Sequence, residues 1–100
     1  MHAQVVAGGT TPDLRTKMDK IVTDEMIPAL RTEPGFAGAL NFVNRDNGQA
    51  MMIVLWDTEA QARRELSEYG KAFLKALANV AAISTGNRQP MSVWEVNARE

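Results

Sequence analysis

The sequence contains no cysteine, and this absence excludes several classes of protein at once. Disulfides, thiolate metal sites and a cysteine nucleophile are all ruled out. His2 is the only histidine, and no nucleotide-binding motif occurs, so we expect no metal, haem, flavin or other cofactor. The 11 basic and 12 acidic residues are spread along the chain, which argues against a nucleic-acid partner or a polybasic membrane anchor.

Long hydrophobic runs are also missing. None approaches the ~18 residues that suggest a membrane span, and the first residues lack the charged and apolar regions of a signal peptide. The 45% hydrophobic share is that of a globular protein with a packed core. We therefore expect one domain over residues 1–100, cytoplasmic and without a membrane partner.

The order of predicted elements is strand, helix, strand, strand, helix, strand. Residues 3–7 read as a strand, and a helix follows with Thr11 as N-cap, Pro12 at its first position and a bend at Pro28. Strands at 36–43 and 50–56 flank Asn47-Gly48, which favours a type I′ hairpin turn. A capping box of Thr58 and Gln61 starts a second helix with an apolar stripe up to residue 80, and residues 84–90 form a loop before a last strand at 91–96.

This order predicts an α+β fold, the ferredoxin-like βαββαβ sandwich, with a four-stranded antiparallel sheet and two helices on one face. The third strand is apolar on both alternating faces, so both faces of the sheet need cover. Two helices can cover only one of them. We therefore predict a homodimer in which a second copy covers the other face of the sheet.

Two segments of the chain resemble a known family. They are Ile27-Pro28-Ala29-Leu30-Arg31-Thr32-Glu33-Pro34-Gly35-Phe36 and, after the hairpin, Leu55-Trp56-Asp57-Thr58-Glu59-Ala60. Both resemble the antibiotic-biosynthesis-monooxygenase-like group of dimeric α/β barrels, where a helix ends in Pro-Gly-Phe and the third strand ends in Trp. The resemblance implies a dimeric α/β barrel and oxygenation of aromatic, polyketide-like phenols or quinols without metal or flavin. The same scaffold hosts many activities.

The resemblance implies a pocket-lining, substrate-binding role for Trp56. Met52 and Val54 share its face by alternation, and we expect that face to meet the helices. Some oxygenating members carry an asparagine four residues before the tryptophan, and this chain has Met52 there, without a hydrogen-bond donor. The alternative is that Trp56 is a core aromatic residue.

Tyr69 and Glu25 are the candidate catalytic residues. Tyr69 lies on the apolar stripe of the second helix, where its phenol could relay a proton or remain a rim hydroxyl in contact with solvent. Glu25 falls within the apolar sector of the first helix. A buried carboxylate there would be a general base, whereas the bend at Pro28 could instead turn it outward.

Asn41 and Trp94 complete the substrate-binding candidates, each facing either a cavity or the dimer interface. Two functions remain open. One is a cofactor-independent monooxygenase-like enzyme acting on a small aromatic compound, and the other is a non-catalytic dimeric domain that binds a small molecule or serves as an interaction module.

Overall fold

The computed structural model describes residues 1–85 and 91–100, so most of the predicted loop at 84–90 lies outside the described residues. The four strands are β1 (His2–Gly9), β2 (Phe36–Val43), β3 (Gln49–Trp56) and β4 (Ser92–Glu95). They form one antiparallel sheet in the order β2-β3-β1-β4. The helices pack on one face of this sheet, which confirms the ferredoxin-like prediction.

The first helical region extends from residue 12 to residue 30 and changes its winding three times. A 3₁₀ turn (Pro12–Leu14) leads into α1 (Arg15–Ile21), and a π-helical turn (Val22–Met26) separates α1 from α2 (Ile27–Leu30). Thr11 has the extended backbone of an N-cap, but its side chain makes no capping bond. In the π turn, the N–H of Ile27 donates to the carbonyl of Val22, five residues back. Pro28 lacks an N–H and crowds the preceding turn, so the disturbance of the helix expected at Pro28 is this π-helical turn.

The hairpin between β2 and β3 is present, but its turn type differs from the prediction. The loop spans residues 45–48, closed by a 2.8 Å bond from Asn44 N to Gln49 O and a 2.9 Å bond from Gly48 N to Asn44 O. Within this loop only Gly48 has positive φ, at 76°, so the turn is not type I′. Asn47 instead accepts a hydrogen bond from Gln49 N on its own side-chain oxygen, at 2.9 Å.

The predicted second helix is broken into three parts. The capping box of Thr58 and Gln61 is confirmed at the start of α3 (Glu59–Ala62). A 3₁₀ turn (Leu66–Glu68) follows, and α4 (Lys71–Ile83) begins after Gly70. Glu33 accepts a 2.7 Å hydrogen bond from Gly70 N and a 2.8 Å bond from Arg64, so a residue 37 positions away caps α4.

The core lies between the helices and the sheet. It contains Met26 and Leu30 from the first helical region, Val54 and Trp56 from β3, and Tyr69 and Phe73 from the second. The shared face of Met52, Val54 and Trp56 therefore meets the helices, as predicted. No helix among residues 1–85 and 91–100 has the length and apolar character to cross a membrane.

Candidate functional site

A cleft of about 340 Å³ opens between the helices and the sheet, beside the core. Apolar side chains supply most of its wall, including Val6, Met52 and Val54 from the sheet and Met18, Val22, Phe73, Leu77 and Val80 from the helices. A more open depression of about 630 Å³ lies next to it at the hairpin end of the sheet. The cleft is the better ligand site, because it is walled on both sides and mostly apolar.

A few polar groups reach the cleft. Gln4 lies on β1, Asn41 on β2, and Arg15 at the start of α1. Asn41 pairs with Met52 across the two strands and donates a 3.2 Å hydrogen bond to Met51 O. Asn41 thus faces the cavity rather than the uncovered face of the sheet. Asn41 therefore places an amide beside Met52, whose own side chain has no hydrogen-bond donor.

Arg15 is the charged residue of this wall, and it is only 3% exposed. Its Nε donates to Asp19 Oδ1 at 3.0 Å, and its Nη1 donates to the carbonyl of Gly48 at 3.2 Å. Gly48 must be glycine here, since a Cβ would lie 1.9 Å from Thr10 O. The bare hairpin backbone therefore comes close enough to hold the guanidinium.

Trp56 and Tyr69 approach each other, with ring centroids 5.9 Å apart in an edge-to-face arrangement. Neither belongs to the cleft wall. Trp56 is 1% exposed and Tyr69 is 4% exposed, and Phe73 packs on Tyr69 at 4.6 Å. Along β3 the cleft wall extends from Ala50 to Val54, and Trp56 lies two residues further along the strand, in the solid core. Any role of Trp56 or Tyr69 toward a ligand stays a prediction.

Gln4 organises the polar interior beside these rings. Trp56 Nε1 donates to Gln4 Oε1 at 3.1 Å, and Gln4 Nε2 donates to the sulfur of Met91 at 2.8 Å. The Tyr69 hydroxyl is buried and has no hydrogen-bond partner among the described residues. Burial raises the pKa of Tyr69 above its ordinary value, although the nearby Gln4 side chain and the Arg64 guanidinium partly oppose the rise. The phenol therefore stays neutral at physiological pH.

Glu25 is partly exposed and does not belong to the cleft wall. It lies within the π turn, and its Oε1 accepts a 2.8 Å hydrogen bond from Asn79 Nδ2 on α4. Of the two expectations for Glu25, the outward displacement agrees with this position. The carboxylate connects the two helical regions, and its proposed role as a general base stays a prediction.

Trp94 lies on the other side of the sheet from the cleft. It pairs with Ala3, whose partner on β3 is Leu55, and its indole is 61% exposed. Leu40, Phe42 and Met51 share this uncovered face and are 40–50% exposed. We call these four side chains the open face. Trp94 thus belongs with the predicted dimer interface and is not brought to the cleft.

Sequence reasoning missed Arg15 and Gln4 as cleft residues. A signal for each was present. Arg15 precedes Met18 and Val22 by three and seven residues, which places it on the same helix face as the apolar stripe. Gln4 shares its strand parity with Val6, which also lines the cleft.

No group of three or more His, Asp or Glu side chains that could hold a metal occurs within the described ranges. The expectation of a cofactor-free protein stays a prediction.

Comparison with known proteins identifies similar folds. No family model matches the sequence, and no curated protein matches it. Solved structures do match. They include an antibiotic biosynthesis monooxygenase (TM-score 0.76, 13% identity, covering 98% of this chain and 100% of the other). A protein from Nitrosomonas europaea provisionally named an antibiotic biosynthesis monooxygenase has a TM-score of 0.77 and 14% identity, with coverage of 98% and 100%.

SnoaB, a cofactor-independent oxygenase from Streptomyces nogalater, matches with a TM-score of 0.72 and 18% identity over 98% of this chain and 95% of its own. At these identities the likeness concerns the fold. The chain has the fold of proteins named antibiotic biosynthesis monooxygenases, as the sequence resemblance implied.

Proposed function

We propose that the protein binds a small aromatic or polyketide-type compound in the cleft and oxygenates it without a cofactor. The observation that carries this proposal is the cleft itself, an apolar space of about 340 Å³ with a few polar groups in its wall. Such a space fits a flat apolar ligand whose oxygen atoms contact Gln4, Asn41 or Arg15. The fold shared with SnoaB, named a cofactor-independent oxygenase, supports the same reaction class.

The proposed reaction needs no external reductant. A phenol and one dioxygen give a quinone and one water: a ring C–H bond is replaced by C=O, and the second oxygen atom leaves as water. The ionised phenol supplies the electrons. The protein has to hold the substrate, favour its anion and exclude bulk water.

The test is dioxygen uptake with a panel of phenols and quinols, measured together with quinone formation. Val80→Trp places an indole in the cleft wall from α4 and should abolish uptake and binding. Leu74→Trp is the matched control, because Leu74 lies on the same helix, is 36% exposed and does not belong to the cleft wall. Uptake that survives Val80→Trp would place the reaction elsewhere.

One observation favours the second candidate, a non-catalytic binding domain. Among the described residues, the cleft wall contains no Asp, Glu, His or Tyr, so it offers no evident general base. If wild type binds aromatic compounds in the cleft and consumes no dioxygen with any of them, the binding domain is the correct function.

We further propose that a second copy of the chain covers the open face. Leu40, Phe42, Met51 and Trp94 are large apolar side chains on a sheet face that the described helices leave uncovered. An obligate interface of about 2,000 Å² or more is expected for such a dimer. Sedimentation at micromolar concentration tests this, and a stable folded 11.0 kDa monomer would contradict it. The cytoplasmic location and the single-domain organisation stay predictions.

A further inference from the structure

We propose that Arg15 is the specificity-determining residue of the cleft and selects ligands that carry a carboxylate. This inference rests on the proposed ligand-binding role of the cleft and adds the chemical class of the ligand. It follows from the juxtaposition of a buried guanidinium, an apolar cavity and an unbalanced charge.

The burial of the Arg15 guanidinium is the first support for this role. A guanidinium that is 3% exposed has lost most of its hydration, and arginine is rarely buried without full pairing. Arg15 donates to Asp19 through Nε and to Gly48 O through Nη1. Its Nη2 makes no hydrogen bond within residues 1–85 and 91–100. Donors of a residue that lines the cleft are thus left for a ligand.

The charge balance around Arg15 is the second support. Asp19 is the one carboxylate paired with Arg15 among the described residues, and it is shared, because Arg45 Nη1 contacts Asp19 Oδ2 at 2.9 Å. Two guanidinium groups against one carboxylate leave one positive charge. Arg45 is 68% exposed, so water solvates it, whereas Arg15 lies at the apolar cleft. An anionic ligand would balance the charge where water cannot.

The fixed orientation of the guanidinium is the third support. The guanidinium is fixed on two sides, by the next turn of its own helix and by the hairpin backbone. A fixed planar donor fits a planar carboxylate better than a flexible ammonium would. The apolar wall formed by Met18, Val22 and Val54 would then contact the aromatic body of the ligand.

The experiment compares 2-naphthoate with 2-naphthamide, two ligands of the same shape that differ in charge, by titration calorimetry at neutral pH. Wild type should bind the carboxylate roughly tenfold to a hundredfold more tightly, the range for a hydrogen bond to a charged group. Arg15→Gln should bring this ratio close to one, and Arg15→Lys should give an intermediate ratio. Lys17→Gln is the matched control: it removes one positive charge from an exposed position on the same helix, outside the cleft wall, and should keep the wild-type preference.

The outcomes separate the two proposals. Equal binding of both ligands by wild type, with both lost in Val80→Trp, overturns the role of Arg15 and leaves the cleft as the binding site. An unchanged ratio in Arg15→Gln, or an equal loss in Lys17→Gln, also overturns it. Absence of binding by either ligand overturns both proposals. If Arg15→Gln does not fold, the wild-type ratio and the Arg15→Lys ratio decide.

Discussion

Replacing Tyr69 with phenylalanine separates a catalytic phenol from a packing residue. The substitution removes one hydroxyl and keeps the ring that packs on Trp56 and Phe73. Because the hydroxyl is not at the cleft wall, we expect binding and any dioxygen uptake to remain at wild-type level. A catalytic phenol would instead cost activity without a loss of stability.

The expected effect on stability follows from the partners of the hydroxyl. A buried hydroxyl without a partner costs about 1–3 kcal/mol of folding free energy, and none of the described residues bonds to this one. The Gln4 side chain lies nearby and its Oε1, which accepts from Trp56 Nε1, keeps a second lone pair, but the Tyr69 hydroxyl makes no hydrogen bond to it. Arg64 lies 4.2 Å above the ring and would keep its cation–π contact with phenylalanine. Tyr69→Phe should therefore raise the free energy of unfolding by about 1 kcal/mol.

Denaturant and thermal unfolding at one fixed protein concentration measure this change, because the proposed dimer would make the midpoint concentration-dependent. A gain of about 1 kcal/mol corresponds to a rise in Tm of roughly 4–8 °C for a domain of this size. Trp56→Phe is the control of opposite sign, because it leaves Gln4 Oε1 without its donor and removes buried volume. If Tyr69→Phe destabilises by 1 kcal/mol or more, the hydroxyl has a partner and the reasoning is wrong.

The same variant has a signature at alkaline pH. Burial raises the pKa of Tyr69 above its ordinary value of 10.0, so the folded state holds the proton longer than the unfolded state. Below pH 10 both states are protonated, and the stability contribution is fully present. As pH rises above 10, the unfolded state ionises first, and wild type loses stability up to the folded pKa. Tyr69→Phe lacks this loss, so its advantage should widen above pH 10, and a constant difference would contradict the shift.

Three further predictions concern the fold around the cleft. Glu33→Gln should lower the free energy of unfolding by about 1 kcal/mol at pH 7 and by less in acid. Burial acts to raise the pKa of Glu33, but the hydrogen bonds from Gly70 N and Arg64 together lower it, so the stabilisation is present above pH 4.5 and is lost as pH falls through the lowered pKa. A destabilisation that grows in acid would contradict this. Gly48→Ala should lower the free energy of unfolding by about 1–2 kcal/mol or more and weaken ligand binding. Gly8→Ala is its control: no atom lies within 4 Å of the new Cβ, so this variant should be neutral or stabilising in the same unfolding assay. Equal effects of the two substitutions would refute the turn argument. Phe42→Asp should shift sedimentation toward monomer, while an unchanged dimer would show that the open face is not the interface.

The arrangement of strands was predictable because it depends on local patterns. The apolar run of β3 and the limits of β2 follow from alternation and from flanking turn residues. The break in the second helix was not. Its apolar stripe continues through Leu66 and Tyr69 as in one helix. The chain instead leaves the α-helix after Ala62 and resumes it after Gly70, whose N–H donates to Glu33. A cap supplied from 37 residues away leaves no local trace in the sequence.

The candidate site was harder to predict, because a face of the sheet is not the same as a cavity. Alternation correctly groups Met52, Val54 and Trp56 on the helix-facing side, but it does not show where the helices separate from the sheet. That depends on packing, and the aromatic side chains that best fill space lie in the solid part of the core. The cleft is lined mainly by aliphatic and methionine side chains, together with Phe73 and Arg15. A positively charged side chain is usually solvated, but the spacing of Arg15 from Met18 and Val22 places it inward. A charge at an apolar helical position needs a partner from elsewhere in the fold or from a ligand: Glu25 pairs with Asn79 on α4, whereas Arg15 lies in the wall of the cleft.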